Sequence, residues 1–122
     1  MIPRRATIGE VGERAAVAYL RSNGFMIRER NWRNGRYEID IIAERWGVIH
    51  FVEVKSRKVD GWSTPEQAID KHKFESLRRA AAAYLGINAI RGEHQFDLVA
   101  VDMQGEEPVA VRFTENAMQS AW

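Results

Sequence analysis

Two acids and a lysine on neighbouring segments carry the chemistry that this chain could do. Hydrophobic alternation predicts one strand over Tyr37 to Glu44 and another over Val48 to Arg57, joined by a turn near Trp46-Gly47. In the first, Tyr37, Ile39, Ile41 and Ala43 point one way, and Glu38, Asp40, Ile42 and Glu44 the other. In the second, Val48, His50, Val52 and Val54 share one face, and Ile49, Phe51, Glu53, Lys55 and Arg57 share the other. The second strand starts apolar on both sides, as a central strand does, and then turns charged on one side. A two-residue turn at Trp46-Gly47, or a four-residue loop over 45–48, sets Asp40 opposite Glu53 and Glu38 opposite Lys55. A three-residue loop would put Asp40 and Glu53 on different faces. Trp suits the positive φ of a primed two-residue turn poorly, which favours the four-residue loop. Opposed carboxylates, with Cβ atoms roughly 4.5–5.5 Å apart, repel unless a proton or a cation lies between them. An all-oxygen site of this kind suits Mg²⁺ or Mn²⁺, with waters completing the octahedron. Such an ion would act as a Lewis acid and lower the pKa of bound water. The alternative is a solvated sheet face laced with ion pairs, Glu38 with Lys55 among them. Ile49 and Phe51 weigh against it, because they put a covered core beside the charged end.

These residues need a sheet and covering helices to hold them. The first helix is predicted from Thr7 to Asn23, opened by the Thr7–Glu10 capping box and closed at Asn23-Gly24. Ile8, Val11, Ala15, Ala16, Tyr19 and Leu20 form its apolar face, with Val17 near the polar side. Glu13 falls at the rim of that face and offers a third acid to the same place. Strands are expected over Phe25 to Asn31, before an Asn34-Gly35 turn, and over Gln95 to Asp102 and Val109 to Thr114. A second helix is expected to open at Thr64-Pro65, with Asp70 as a possible second cap, and to run to Leu85. The order αβββαββ predicts an α/β single domain over 1–122, with a mixed central sheet flanked by helices.

Composition sets the outer bounds. The 122 residues are 45% hydrophobic and 29% charged, which excludes low-complexity and strongly disordered classes. The chain has no Cys, so disulfides, thiolate metal sites and thiol nucleophiles are excluded. His50, His72 and His94 lack zinc-ligand spacing. No apolar run approaches the ~20 residues of a membrane span, and the start lacks a secretory h-region, so a cytoplasmic location is expected. The net charge of +1 hides a gradient. Residues 1–36 hold eight Arg against three acids, 37–92 nine bases against eight acids, and 93–122 only Arg112 against six acids. Arg33, Arg57, Lys58 and Lys73 lie near the acids and suit phosphate contacts, whose affinity would be sequence-independent and salt-dependent. Trp32, Trp46 and Trp62 sit in or beside turns, where each could stack on an unpaired base or cover the core.

With Asp40 followed by Glu53-Val54-Lys55, the chain resembles the PD-(D/E)xK nuclease signature. The wider context is G-E-R-A-A-V-A-Y-L (12–20), N-W-R-N-G-R-Y-E-I-D-I-I (31–42), F-V-E-V-K-S-R (51–57), Q-A-I (67–69), K-F-E-S-L (73–77), A-A-Y-L (82–85) and F-D-L-V-A-V (96–101). This is similar to the bacterial YraN family, an uncharacterised group with a restriction-endonuclease-like fold related to archaeal Holliday-junction resolvases. The resemblance implies that Asp40 and Glu53 bind the metal and that Val54 offers it a backbone carbonyl. It implies that Lys55 positions or polarises the attacking water, that Glu13 is the first-helix acid, and that Gln67 is a polar residue near the site. It also implies an endonuclease acting on structured or branched nucleic acid, DNA rather than RNA, and a homodimer. A non-catalytic nucleic-acid-binding module on the same fold is the alternative. The family usually has Gly where this chain has Tyr37. That residue should lie on the Ile39 face, away from the acids.

Overall fold

Thr7 begins the ordered architecture by capping the first helix: its Oγ1 accepts the Glu10 N–H at 3.1 Å, worth about 1 kcal/mol. The computed structural model describes residues 5–59 and 71–117. Helix α1 spans Ile8–Ser22, and strands β1 (Met26–Asn34), β2 (Tyr37–Arg45) and β3 (Val48–Lys58) follow it. Helix α2 (Lys71–Ile87) and strands β4 (His94–Gln104) and β5 (Glu107–Thr114) complete the expected order. Gly86 lies inside α2 rather than stopping it. The expected helix start at Thr64-Pro65, the cap at Asp70, Gln67 and Trp62 lie outside the described residues.

The strands form one sheet in the order β1-β2-β3-β4-β5. Only β3 and β4 run parallel, and α2 lies in the chain between them; the other pairs are antiparallel. The sheet is therefore mixed. Each of its faces carries a core. On one, Ile39, Ile42, Ile49, Phe51, Phe96 and Leu98 pack against Leu77, Ala80, Ala81 and Tyr84 of α2. On the other, Ile41, Ala43, Val52, Val99, Val101 and Met103 pack against Ala16, Val17 and Leu20 of α1. A side chain of this size contributes about 1.5–3 kcal/mol when fully buried.

Several details differ from expectation. Val17 is buried, not turned to the polar side. The inner stripe of α1 is Gly12, Ala16, Val17 and Leu20. The reason is Gly12: a Cβ there would stand 1.7 Å from Ser56 Oγ, so only glycine lets α1 settle this closely on β3. The β2–β3 connection is the two-residue turn Trp46-Gly47, with φ of 53° and 75°. A non-glycine residue in this conformation costs roughly 1–2 kcal/mol. The turn matches strand twist, and the Arg45 guanidinium lies 4.1 Å from the Trp46 ring centroid. Phe113 is half-buried and packs edge-on against Tyr19 and Phe25. At the Trp46 end of the sheet, buried His50 meets Asp97 through Nδ1. Asp97 also accepts from Gln95 Nε2 and the Asn116 N–H, both at 2.9 Å.

Candidate active site

The acids gather where two strands part. β2 and β3 pair from Arg45–Val48 to Ile41–Val52, in the register expected from either even-length connection. Beyond that, β2 stays with β1 as far as Tyr37–Asn34, and β3 stays with β4 as far as Lys58–Met103. Asp40 and Glu53 are the next residues on either side of the opening. In place of a ladder bond, Asp40 Oδ2 accepts the Val54 N–H at 2.9 Å.

The alternation of β2 slips here. Ile39 belongs to the α2-side core and Ile41 to the α1-side core, so they do not share a face as predicted. At the same level β1 carries Asn31 at a φ of 51°, between the Arg30–Ile41 and Trp32–Ile39 pairs. Asn accepts this left-handed conformation more readily than most residues. The slip puts Asp40 into a recess of about 420 Å³ on the α1 side, lined also by Glu13, Asn31, Glu38, Val54 and Ser56. Glu53 stays on the Ile49–Phe51 face and meets Lys73 of α2 at 3.6 Å. The two acids thus approach the opening from opposite faces of the sheet. Tyr37 packs with Ile39, as expected, but this α2-side face is also the face of Glu53, so Tyr37 lies away from Asp40 and Glu13 only.

Glu13 comes from α1. The tilt of the helix stripe toward Val17 turns it inward, leaving its side chain 12% exposed. Asn31 Nδ2 donates to it at 2.9 Å, and Arg30 Nε lies 3.5 Å away. Burial raises its pKa; Arg30 opposes that and the Asp40 charge adds to it. Burial also raises Asp40, against the Val54 N–H and Lys73. Glu53 is pushed up to about 7, first by burial and then by Asp40, against Lys73 and Lys55. Asp40 is therefore the central acid, felt electrostatically by both others.

The recess beside Asp40 offers hard oxygen donors and room for water, the donor chemistry that a Mg²⁺-like ion takes, while Glu53 reaches the opening from the other face of the sheet. Such ions use one or two protein carboxylates and keep several waters. No group of three or more His, Asp or Glu is arranged to hold a metal among the described residues. Glu13 lines the same recess as Asp40 and is held there by Asn31 and Arg30. Asn31 was missed by sequence reasoning, although Asn inside a strand is a usable signal of a local kink.

The remaining predicted residues are dispersed. Lys55 is exposed on β3. Glu38 pairs with Arg33 on β1 at 3.7 Å, not with Lys55. Arg57 is engaged with Asp102 at 3.1 Å, alongside Arg112. Lys58 is exposed at the end of β3. Trp46 is 86% exposed but caps the far end of the β2–β3 hairpin, about 20 Å of strand from the acids. Trp32 is half-buried against Tyr84 and belongs to the core margin. No helix among the described residues is long and apolar enough to cross a membrane.

Residues 12–101 match the uncharacterised protein family UPF0102. A UPF0102 protein of Bacteroides thetaiotaomicron is 43% identical over 94 residues, covering 77% of this chain and 78% of that protein. One from Moorella thermoacetica is 41% identical over 111 residues, covering 90% and 92%. One from Persephonella marina is 43% identical over 94 residues, covering 76% and 81%.

Proposed function

The chain belongs to the uncharacterised family UPF0102, and from that footing we propose that it is a divalent-cation-dependent endonuclease with a restriction-endonuclease-like fold, acting on structured or branched DNA. The observation that carries this reading is the Asp40–Glu53 carboxylate pair, half-buried where β2 leaves β3, with the Asp40 charge helping to raise the Glu53 pKa. Asp40 and Glu53 would hold Mg²⁺ or Mn²⁺ with the Val54 carbonyl. When bound, the ion supplies Lewis acidity and a more acidic water. The Val54 N–H fixes one oxygen of Asp40, so that carboxylate is oriented before any substrate arrives. Lys55 places an exposed ammonium beside Glu53, suited to orient a water or a phosphate oxygen. Glu13, from the second turn of α1, accepts from Asn31 Nδ2 and holds it in its kinked conformation. Arg33, Lys58 and Lys73, with Arg57 and Gln67, would meet flanking phosphates. A homodimer would suit a substrate with more than one arm.

The test is incubation of plasmid, single-stranded and four-way-junction DNA with Mg²⁺ or Mn²⁺, wild type beside Asp40→Asn. Metal-dependent cleavage that disappears in the variant is expected. Absence of cleavage on every substrate, or equal cleavage by both proteins, overturns the catalytic reading. The approach of Asp40 and Glu53 from opposite faces of the sheet favours a second reading, a docking module that binds nucleic acid without cutting it. Salt-sensitive binding that ignores Asp40→Asn and Glu53→Gln would identify that case.

A further inference from the structure

Lys73 stands apart from the other basic residues near the opening. It enters from the first turn of α2, whereas Asp40, Glu53 and Lys55 belong to the sheet. Its Nζ lies 3.6 Å from Glu53 Oε1. The Glu53 side chain is 12% exposed and that of Lys73 is 52% exposed. The acid is therefore confined while the ammonium sits on a flexible stem reaching in from solvent. Lys73 also counters the pKa rise of both carboxylates, whereas Lys55 acts on Glu53 alone and comes last among its influences. A single lysine thus opposes the charge of both carboxylates.

An ammonium and a hard divalent cation compete for the same carboxylate. Mg²⁺-type ions need oxygen at ~2.0–2.1 Å in near-octahedral geometry, and the lysine presents a compact, strongly hydrated charge to that oxygen. A nearby +1 charge also repels an incoming +2 ion. We propose that Lys73 is the built-in counter-ion of the Asp40–Glu53 pair, and that a divalent cation gains Glu53 only by displacing it. Lys73 then sets the metal affinity of the site from outside the ligand set. It stabilises the empty site and weakens binding of the ion. This rests on the reading of Asp40 and Glu53 as metal ligands.

The experiment measures Mn²⁺ binding to the full chain by calorimetry, without DNA, well above neutral pH so that protons do not compete. Wild type is compared with Lys73→Met and Lys73→Gln, two neutral side chains of different shape, each checked for fold by circular dichroism. Both variants are expected to bind Mn²⁺ about two- to fivefold more tightly than wild type, as loss of a partly exposed competing ion pair implies. Both should also show a larger rise in melting temperature on Mn²⁺ addition. If wild type binds Mn²⁺ and a folded variant binds it equally or more weakly, the counter-ion role is overturned while the metal reading stands. If neither wild type nor variants bind Mn²⁺, both ideas fall. Binding by the variants alone would support the proposal in its strongest form.

Discussion

Replacing Glu53 with Gln should stabilise the metal-free protein, and only at a pH where Glu53 is ionised. The carboxyl is carried from its ordinary 4.5 to about 7 by burial and by Asp40. The folded protein therefore holds this proton more tightly than the unfolded chain does. Stability contributed by Glu53 falls as pH rises from 4.5 to about 7 and stays low above that. The full difference is about 3 kcal/mol in order of magnitude, and the side chain is only 12% exposed, so solvent screening reduces it little. Gln keeps the shape of the side chain, and the attraction to Lys73 that it loses is already contained in the value of about 7. The gain for Glu53→Gln is then about 3 kcal/mol at about pH 8, or roughly 10–15 °C in melting temperature for a chain of this size. At about pH 5 the gain should shrink to under about 1 kcal/mol, because the folded-state carboxyl is still protonated and only the unfolded chain has begun to ionise. Urea unfolding of both proteins at the two pH values, with a chelator present, measures the difference. An equal stability change at both pH values would refute the reasoning, since it would assign the effect to packing rather than to a buried charge.

Two further outcomes follow from the geometry. Gly12→Ala should destabilise by about 1–3 kcal/mol, because its Cβ would stand 1.7 Å from Ser56 Oγ and 3.0 Å from Ser56 Cβ. Combining it with Ser56→Gly should recover much of that loss in thermal unfolding, and no recovery would exclude the contact as the cause. Arg57 and Lys58 should behave differently in DNA binding. Arg57 is already engaged with Asp102, whose pKa the Arg112 and Arg57 partners hold near 2, whereas Lys58 is exposed and makes no ion pair among the described residues. Lys58→Ala should reduce the salt slope of binding by about 0.9 for a single phosphate contact. Arg57→Ala should leave the slope nearly unchanged, and equal slopes for both variants would contradict this division.

The element order, the mixed sheet and the β2–β3 register were legible because period-2 alternation, the T-x-x-E cap and the turn glycines are local signals. The site was legible in its residue types and less so in its geometry. The even connection from Arg45 to Val48 fixes which residues oppose one another, but it does not reveal where two strands stop pairing. That depends on β1, which carries Asn31 at positive φ, and on the Val54 N–H, which is taken by the Asp40 carboxylate. Both are contacts between strands that no alternation pattern encodes. The two-residue turn at Trp46 shows the same limit. Local preference argues against Trp at positive φ, and the twist of the paired strands together with the Arg45 contact prevails. The His50–Asp97 pair also gave no sequence signal, since its members lie far apart in the chain and meet only through the parallel β3–β4 pairing.

The charge gradient takes on a different meaning once the chain is folded. The six acids of residues 93–122 look, in sequence, like a tail that would repel nucleic acid. In the structure four of them face bases or His50 from earlier in the chain. Glu106 pairs with Arg5, Glu115 with Arg45, Asp102 with Arg57 and Arg112, and Asp97 with His50. The acidic end is thus largely a set of internal counter-charges, so it does not oppose a polyanion as its number suggests. The same pairing removes Arg5, Arg45 and Arg57 from the basic excess of the N-terminal two thirds. Beside Glu53, Lys55 is exposed and makes no ion pair among the described residues. A net charge near zero therefore reflects extensive pairing across the fold, with an exposed ammonium kept beside the Asp40–Glu53 opening.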